Sequence, residues 1–253
     1  MANWNDPQPR TGFGASPVLN GEALGTGVVY DQGLRKHMLS IYNYMASGVL
    51  LSGIVALLFA SSGMAAQVMA TPLRWVIMLA PLAMVFFFNP NRQTSTLQAM
   101  FWGFCVLMGL SMSTIFLVFT GASIATTFFA TAGAFAGLSL VGYTTKKDLS
   151  AMGAFMAMGV IGLIIAMVIN LFLQSSGLQL AISALGVLIF AGLTAWDTQR
   201  LKQEYIGVAG YYGTVGDEAK VQLGKAVVLG ALTLYLDFLN IFLFLLQLFG
   251  DRR

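Results

Sequence analysis

Seven apolar stretches, divided by short polar breaks, set the terms for this chain. They run over about 39–60, 73–88, 97–119, 123–143, 151–173, 179–199 and 226–249. A bilayer core is crossed by about 20 mostly apolar helical residues. Six of the stretches meet that length. The second is shorter and carries Pro81, so a kink or a thin crossing is expected there. Charge is scarce to match: 9% of the 253 residues are charged, against about 25% in an ordinary soluble domain. With 57% hydrophobic residues and a mean hydropathy of +0.78, a soluble enzyme is excluded. One Cys and 28 Gly without a chain-wide period exclude disulfide-rich and fibrous classes. The expected fold is an all-α integral membrane bundle of seven transmembrane helices.

Residues 1–36 differ from the rest. They hold Pro7, Pro9 and Pro17 with scattered charges and no apolar h-region, so no cleavable signal peptide is expected. The reading is a flexible polar cytoplasmic tail over 1–36 and a transmembrane domain over 37–253. A longer loop at about 200–225, with Gly207, Gly210, Gly213 and Gly216, is also expected to be flexible. Lys and Arg give the orientation. With the N-terminus in the cytoplasm and seven crossings, 10 of the 13 basic residues fall on the cytoplasmic side, and Arg74, Arg252 and Arg253 on the other. A re-entrant last segment would also bring Arg252 and Arg253 inside; 24 continuous residues favour a simple crossing. The net charge of +3 then reflects cytoplasmic loops, and no nucleic-acid partner is expected. Gly133 with Gly137, and Gly153 with Ala157, have the spacing that lets helix backbones approach closely.

Of the 10 acidic residues, only Asp197 and Asp237 fall inside apolar helices. A carboxylate there costs several kcal/mol unless it is protonated, paired or hydrated, which makes it a functional candidate. Asp237 lies about 18 Å into its helix from Lys225, near the middle of the bilayer. Thr233 and Asn240 flank it one turn away on the same face. A purely structural role remains open for both carboxyls. Asp237 can hydrogen-bond between helices, and Asp197 can sit at the interface, paired with Arg200 or Arg92. Counted from Arg200 and Lys225, the two Asp are about 13 Å apart in depth. Spacing alone does not make them a pair. His37 is alone, which excludes a His-rich zinc site, and Cys105 reads as a small core residue. There is no glycine-rich phosphate loop and no Gly-x-Ser-x-Gly. Two Asp keep an intramembrane aspartyl protease in view, but neither lies in a Gly-Leu-Gly-Asp setting. No enzymatic activity and no resident cofactor are expected.

Three segments carry a resemblance. Gly192-Leu193-Thr194-Ala195-Trp196-Asp197-Thr198-Gln199-Arg200-Leu201-Lys202 is similar to the sixth-helix motif of the Bax inhibitor-1 (transmembrane Bax inhibitor motif) family. Leu229 to Phe242, around Tyr235-Leu236-Asp237-Phe238-Leu239-Asn240, resembles its seventh-helix motif. Gly142 to Ser150, with Lys146-Lys147-Asp148, resembles the loop after its fourth helix. The resemblance covers about 33–253 and fits the bacterial inner-membrane branch. It implies a seven-helix bundle with the last helix central, acting as a pH-sensitive calcium leak. Asp197 and Asp237 would then be the proton-sensing pair on the ion pathway and a weak, transient calcium site, with Asn240 and Thr233 as supporting polar groups. Family members can carry a cationic latch near the end of the second helix; here Arg92 is the only cation in that region. No acidic residue occurs within the second helix. Some bacterial relatives suggest an alternative: a regulatory membrane protein that binds others, for example a membrane quality-control protease, with 1–36 as its handle.

Overall fold

The computed structural model describes residues 21–212 and 217–253. In chain order these form α1 (Gly21–Ser61), α2 (Met64–Met69), α3 (Leu73–Val85), α4 (Thr94–Met112), α5 (Ile115–Val118), α6 (Gly121–Thr144), α7 (Ser150–Leu173), α8 (Ser176–Tyr212) and α9 (Asp217–Phe249). Among the described residues the only extended pairing is an isolated bridge between Phe119 and Arg252. Six helical stretches are long and apolar enough to cross a membrane: Gln32–Ser61, Thr94–Val118, Gly121–Thr144, Ser150–Leu173, Ser176–Tyr211 and Asp217–Phe249. The expected second span is the 13-residue α3, with Pro81 inside it. It is about 20 Å long, short of a bilayer core of about 30 Å. The chain is an all-α, multi-pass membrane protein, and its outer face carries exposed Leu57, Phe87, Ile161 and Phe172, as lipid contact requires.

The helices are longer than the apolar stretches that announced them. α1 already begins at Gly21, so helix occupies the second half of the segment read as a tail; residues 1–20 lie outside the described residues. The loop expected over 200–225 is mostly helix as well. α8 continues to Tyr212 and α9 starts at Asp217, and residues 213–216 lie outside the described residues. Hydropathy reports where a helix is buried in lipid, and polar turns can extend it into water.

Burial ranks the helices. In α7 only 6% of the apolar stretch is buried, in α9 67%, so α7 lines the periphery and α9 the interior. α9 packs on α1, α4, α6 and α8. Its Tyr235 ring meets Phe101 and Phe104 edge-on at 6.1 and 5.8 Å, and its Phe238 meets Phe135 at 5.6 Å. The Tyr235 hydroxyl finds Ser52 Oγ at 2.6 Å, and Ser52 donates to the Cys105 carbonyl at 2.7 Å. One polar chain thus ties α9, α1 and α4. α9 is unbroken, and its far end docks beside α5 and α6: Asp251 O accepts from Thr120 N at 3.0 Å, and Arg253 N donates to Val118 O at 2.9 Å. The segment is one continuous helix, which excludes a hairpin within 226–249.

Small residues do their work elsewhere than expected. A Cβ on Gly133 or Gly137 would meet nothing within 4 Å, so this pair does not join helices of this chain. Gly142 instead lies against the Ala195 carbonyl, and Gly153 against the Trp196 ring. Both contacts seat α8.

Candidate functional site

One turn of α8 supplies most of the site. Trp196, Asp197 and Arg200 group on one side of it, and Gln199 reaches the α6–α7 loop. Asp197 turns toward α9, where its carboxyl comes within hydrogen-bonding reach of Asp237. Both residues are only 4% exposed. Arg200, one turn along, brings a guanidinium nitrogen to 2.8 Å from Asp197 Oδ1. Its side chain is 45% exposed, so it links a buried carboxyl to the bundle surface. The guanidinium lies 4.9 Å from the centre of the Trp196 ring, at cation–π distance. That ring occupies the space left by Gly153 of α7. A glycine on one helix therefore fixes an aromatic platform, which holds a cation, which holds an acid.

Gln199 fastens the same turn to the α6–α7 loop. Its Nε2 donates to the Lys147 carbonyl at 2.7 Å, and its Oε1 accepts from Leu149 N at 2.9 Å. Lys202 Nζ donates to the Tyr143 carbonyl at 2.7 Å. Within the loop, Asp148 accepts from Ser150 N and Oγ at 2.9 and 2.6 Å, which holds its exposed carboxyl below its ordinary range.

Four buried oxygens in this region have no aligned hydrogen bond: Asp197 Oδ1, Asp237 Oδ2, Thr198 Oγ1 and Ser139 Oγ. For Asp197 Oδ1 the contact with Arg200 is an ion pair by distance, with the N–H directed off the oxygen. The Tyr42 hydroxyl lies within reach of Ser139 and Thr198, likewise without alignment. Buried polar groups are nearly always satisfied, so a cluster of oxygens without aligned bonds makes this region the candidate site.

The structure thus joins Asp197 and Asp237, which the depth arithmetic had separated. That arithmetic took Arg200 and Lys225 as the ends of the helices. α8 runs about three turns past Arg200, and α9 starts about two turns before Lys225. A charge near a boundary is not the boundary. The supporting residues are not drawn in. Asn240 Nδ2 donates to the Leu236 carbonyl at 2.8 Å and Thr233 Oγ1 to the Leu229 carbonyl at 3.2 Å, both within α9. Arg92 is exposed in the turn before α4 and forms no ion pair among the described residues; the cation at the acid pair is Arg200. No group of three or more His, Cys, Asp or Glu that could hold a metal occurs among the described residues. The His37 ring lies tilted against that of Tyr205, their centres 5.0 Å apart, and Cys105 is buried and free. Sequence reasoning missed Gln199, Thr198, Ser139 and Tyr42. The signal for Gln199 was present, since it and the loop it binds both lie in the quoted motifs, but nothing in a sequence pairs them.

A bundle of long apolar helices with two carboxyls in contact inside it, one of them held by an arginine, defines a class of multi-pass membrane protein with an ionisable interior. Comparison with known proteins makes this specific. Residues 34–253 match the model of the family described as "Inhibitor of apoptosis-promoting Bax1", and the chain belongs to this Bax inhibitor-1 family. It is 40% identical over 230 residues to the inner membrane protein YbhL of Escherichia coli, covering 87% of this chain and 94% of that one. Uncharacterized proteins of Caulobacter vibrioides and Rickettsia prowazekii are 46% identical over 237 residues and 45% over 228. Each covers 88% of this chain, and the matches span 91% and 93% of those proteins.

Proposed function

We propose that this protein is a passive, pH-sensitive calcium leak of a bacterial inner membrane, gated by the proton occupancy of Asp197 and Asp237. In this reading seven helices cross the bilayer, α3 making the thin crossing, with α9 as the central helix and the N-terminus in the cytoplasm. The observation that carries the reading is the approach of two buried carboxyls across the α8–α9 seam, one of them paired with Arg200. The inner-membrane location is supported by the printed name of the E. coli relative.

The chemistry follows from the pair. Carboxyls in contact in a poor dielectric titrate as one unit. With a proton between them they hydrogen-bond and tie α8 to α9, which is the closed form. Without it they repel, loosen the seam and attract a divalent cation. Calcium takes about 6–8 oxygens, so two carboxylates hold it only in passing, with water and backbone carbonyls completing its shell. Weak, partly hydrated binding suits conduction. Arg200 sets the bias of the pair in this scheme, because a nearby cation favours the ionised, open form. Its positive charge is the sole ionic partner of Asp197 among the described residues, and it reaches the bundle surface.

The test is calcium entry into liposomes that hold a calcium-sensitive dye, recorded across internal and external pH. Wild type is expected to give a pH-dependent flux. Asp197→Asn and Asp237→Asn are each expected to lose that dependence while remaining folded. Absence of flux above protein-free liposomes at every pH, from folded protein, overturns the leak and turns attention to capture of a membrane-protein partner through residues 1–36.

A further inference from the structure

Beyond ion conduction, the flank of the bundle between α1 and α6 carries a second site. Both helices pack on α8 and α9 but not closely on each other. The gap is a cavity of about 650 Å³, floored by Phe238 of α9. A second cavity of about 290 Å³ continues it along the seam and shares Val49, Phe128 and Phe238 with it. Together they fall in the size range of small-molecule sites, about 300–1,000 Å³. The walls sort by polarity along the helices. One end presents Arg35, Tyr42, Asn43, Ser139 and Tyr143; from Met45 and Phe135 onward the lining is apolar. On α6, Ala132 and Ala136 line the groove between the larger Phe128, Phe135 and Leu140, and a bulkier side chain at either position would narrow it.

Two independent features point to a ligand. Ser139 is 5% exposed and lines the groove, with the Tyr42 hydroxyl of the facing helix within its reach, so the two make a polar step on opposite walls. Arg35 stands exposed at the polar end and forms no ion pair among the described residues. A cation with no ion pair among the described residues, a pair of hydroxyls across the groove and a long apolar slot in one line match an amphiphile with an anionic head. From Arg35 to Val49 the groove follows about 21 Å of helix, more than half of a bilayer core about 30 Å thick, so it covers the acyl depth of one leaflet. Since the groove flanks a membrane-spanning bundle, the amphiphile at hand is lipid.

We propose that the α1–α6 groove binds one anionic phospholipid, its phosphate at Arg35, its ester region at Tyr42 and Ser139, and an acyl chain along Val49 and Phe135. The site does not depend on the protein being a calcium leak. It does adjoin the acid pair, since Tyr42 also reaches Thr198, the neighbour of Asp197.

The test is native mass spectrometry of full-length protein, delipidated and then titrated with phosphatidylglycerol or phosphatidylcholine. Wild type is expected to hold one phosphatidylglycerol about tenfold more tightly than phosphatidylcholine, the worth of one charge-assisted contact. Arg35→Gln is expected to keep a bound lipid and lose the headgroup preference. Ala132→Trp, which fills the apolar slot, is expected to lose the lipid. A second measurement needs no variant: a phosphatidylglycerol with a photoreactive acyl chain, reconstituted with wild type, is expected to label α1 and α6 around 42–49 and 128–140. Labelling that is no stronger there than on α7, whose faces meet bulk lipid, means annular lipid only and overturns the proposal. Equal binding of the two lipids by wild type, or undiminished binding by folded Ala132→Trp, also overturns it.

Discussion

Arg200 shows how much one side chain can carry. Its guanidinium is pinned from below by Trp196, and its charge lies 2.8 Å from a carboxyl oxygen that has no aligned hydrogen bond. A nearby cation favours the ionised form of an acid. Taking it away therefore favours the proton-bound, closed pair. Arg200→Gln is expected to lower calcium flux at any pH where wild type conducts, and Arg200→Lys to restore part of it, since Lys keeps the charge but loses the stacked planar fork. Both are read in the liposome assay, and flux of Arg200→Gln at or above wild type would remove Arg200 from the gate. Arg92→Gln serves as the contrast and is expected to behave as wild type, because its side chain is exposed and takes part in no ion pair among the described residues. The two acids were legible because a carboxylate in an apolar helix stands out against so little charge. Which cation serves them was not. Arg200 and Arg92 were equally available by composition, and only the i,i+3 geometry of α8 against the position of the α3–α4 turn separates them.

Between helices, glycine decides contact by position and not by spacing. The Gly133/Gly137 pair has the familiar four-residue interval and touches nothing, whereas the lone Gly142 meets the Ala195 carbonyl backbone. A methyl group at 142 has nowhere to go, since backbone cannot step aside as a flexible side chain can. Gly142→Ala is expected to cost about 1–3 kcal/mol through overpacking. For a chain of this length that lowers the unfolding midpoint by several degrees, at about 2–4 °C per kcal/mol. Gly133→Ala is expected to be neutral or to raise the midpoint, because Ala is the better helix former by about 1 kcal/mol. Thermal unfolding in detergent, followed by loss of helical signal, compares them directly. Equal midpoints would mean that the α6–α8 contact is looser than the structure has it. The apolar stretches located every long helix to within a few residues on its lipid-facing side. They failed at the water-facing ends of α1, α8 and α9, where helical turns rich in charge carry no hydropathy signal. Which helix faces which was beyond the sequence, because small residues mark a close approach only once a partner backbone is there.

For the bundle as a whole, the question is why its most buried helix keeps a carboxyl at all. α9 is packed on four helices through Tyr235, Phe238, Ile241 and Phe242, and that apolar contact is enough to hold it in place. A buried carboxyl carries a desolvation penalty when ionised, and a neutral amide of the same shape does not. Interhelical hydrogen bonds in membranes are worth only about 0.6 kcal/mol on average, so what a carboxyl contributes as glue is small. Asp237→Asn is therefore expected to unfold at or above the wild-type midpoint, the amide keeping a hydrogen bond to Asp197. Asp197→Asn is expected to fall slightly, since Arg200 loses its partner but is exposed enough to be hydrated instead. If the acids exist for structure, the order reverses: Asp237→Asn, on the most buried helix, becomes the less stable of the two. Unfolding midpoints measured on the same preparations as the flux assay separate these cases. An unchanged or raised midpoint together with lost pH dependence assigns the carboxyl to function. A midpoint that collapses with the flux assigns it to holding α8 against α9.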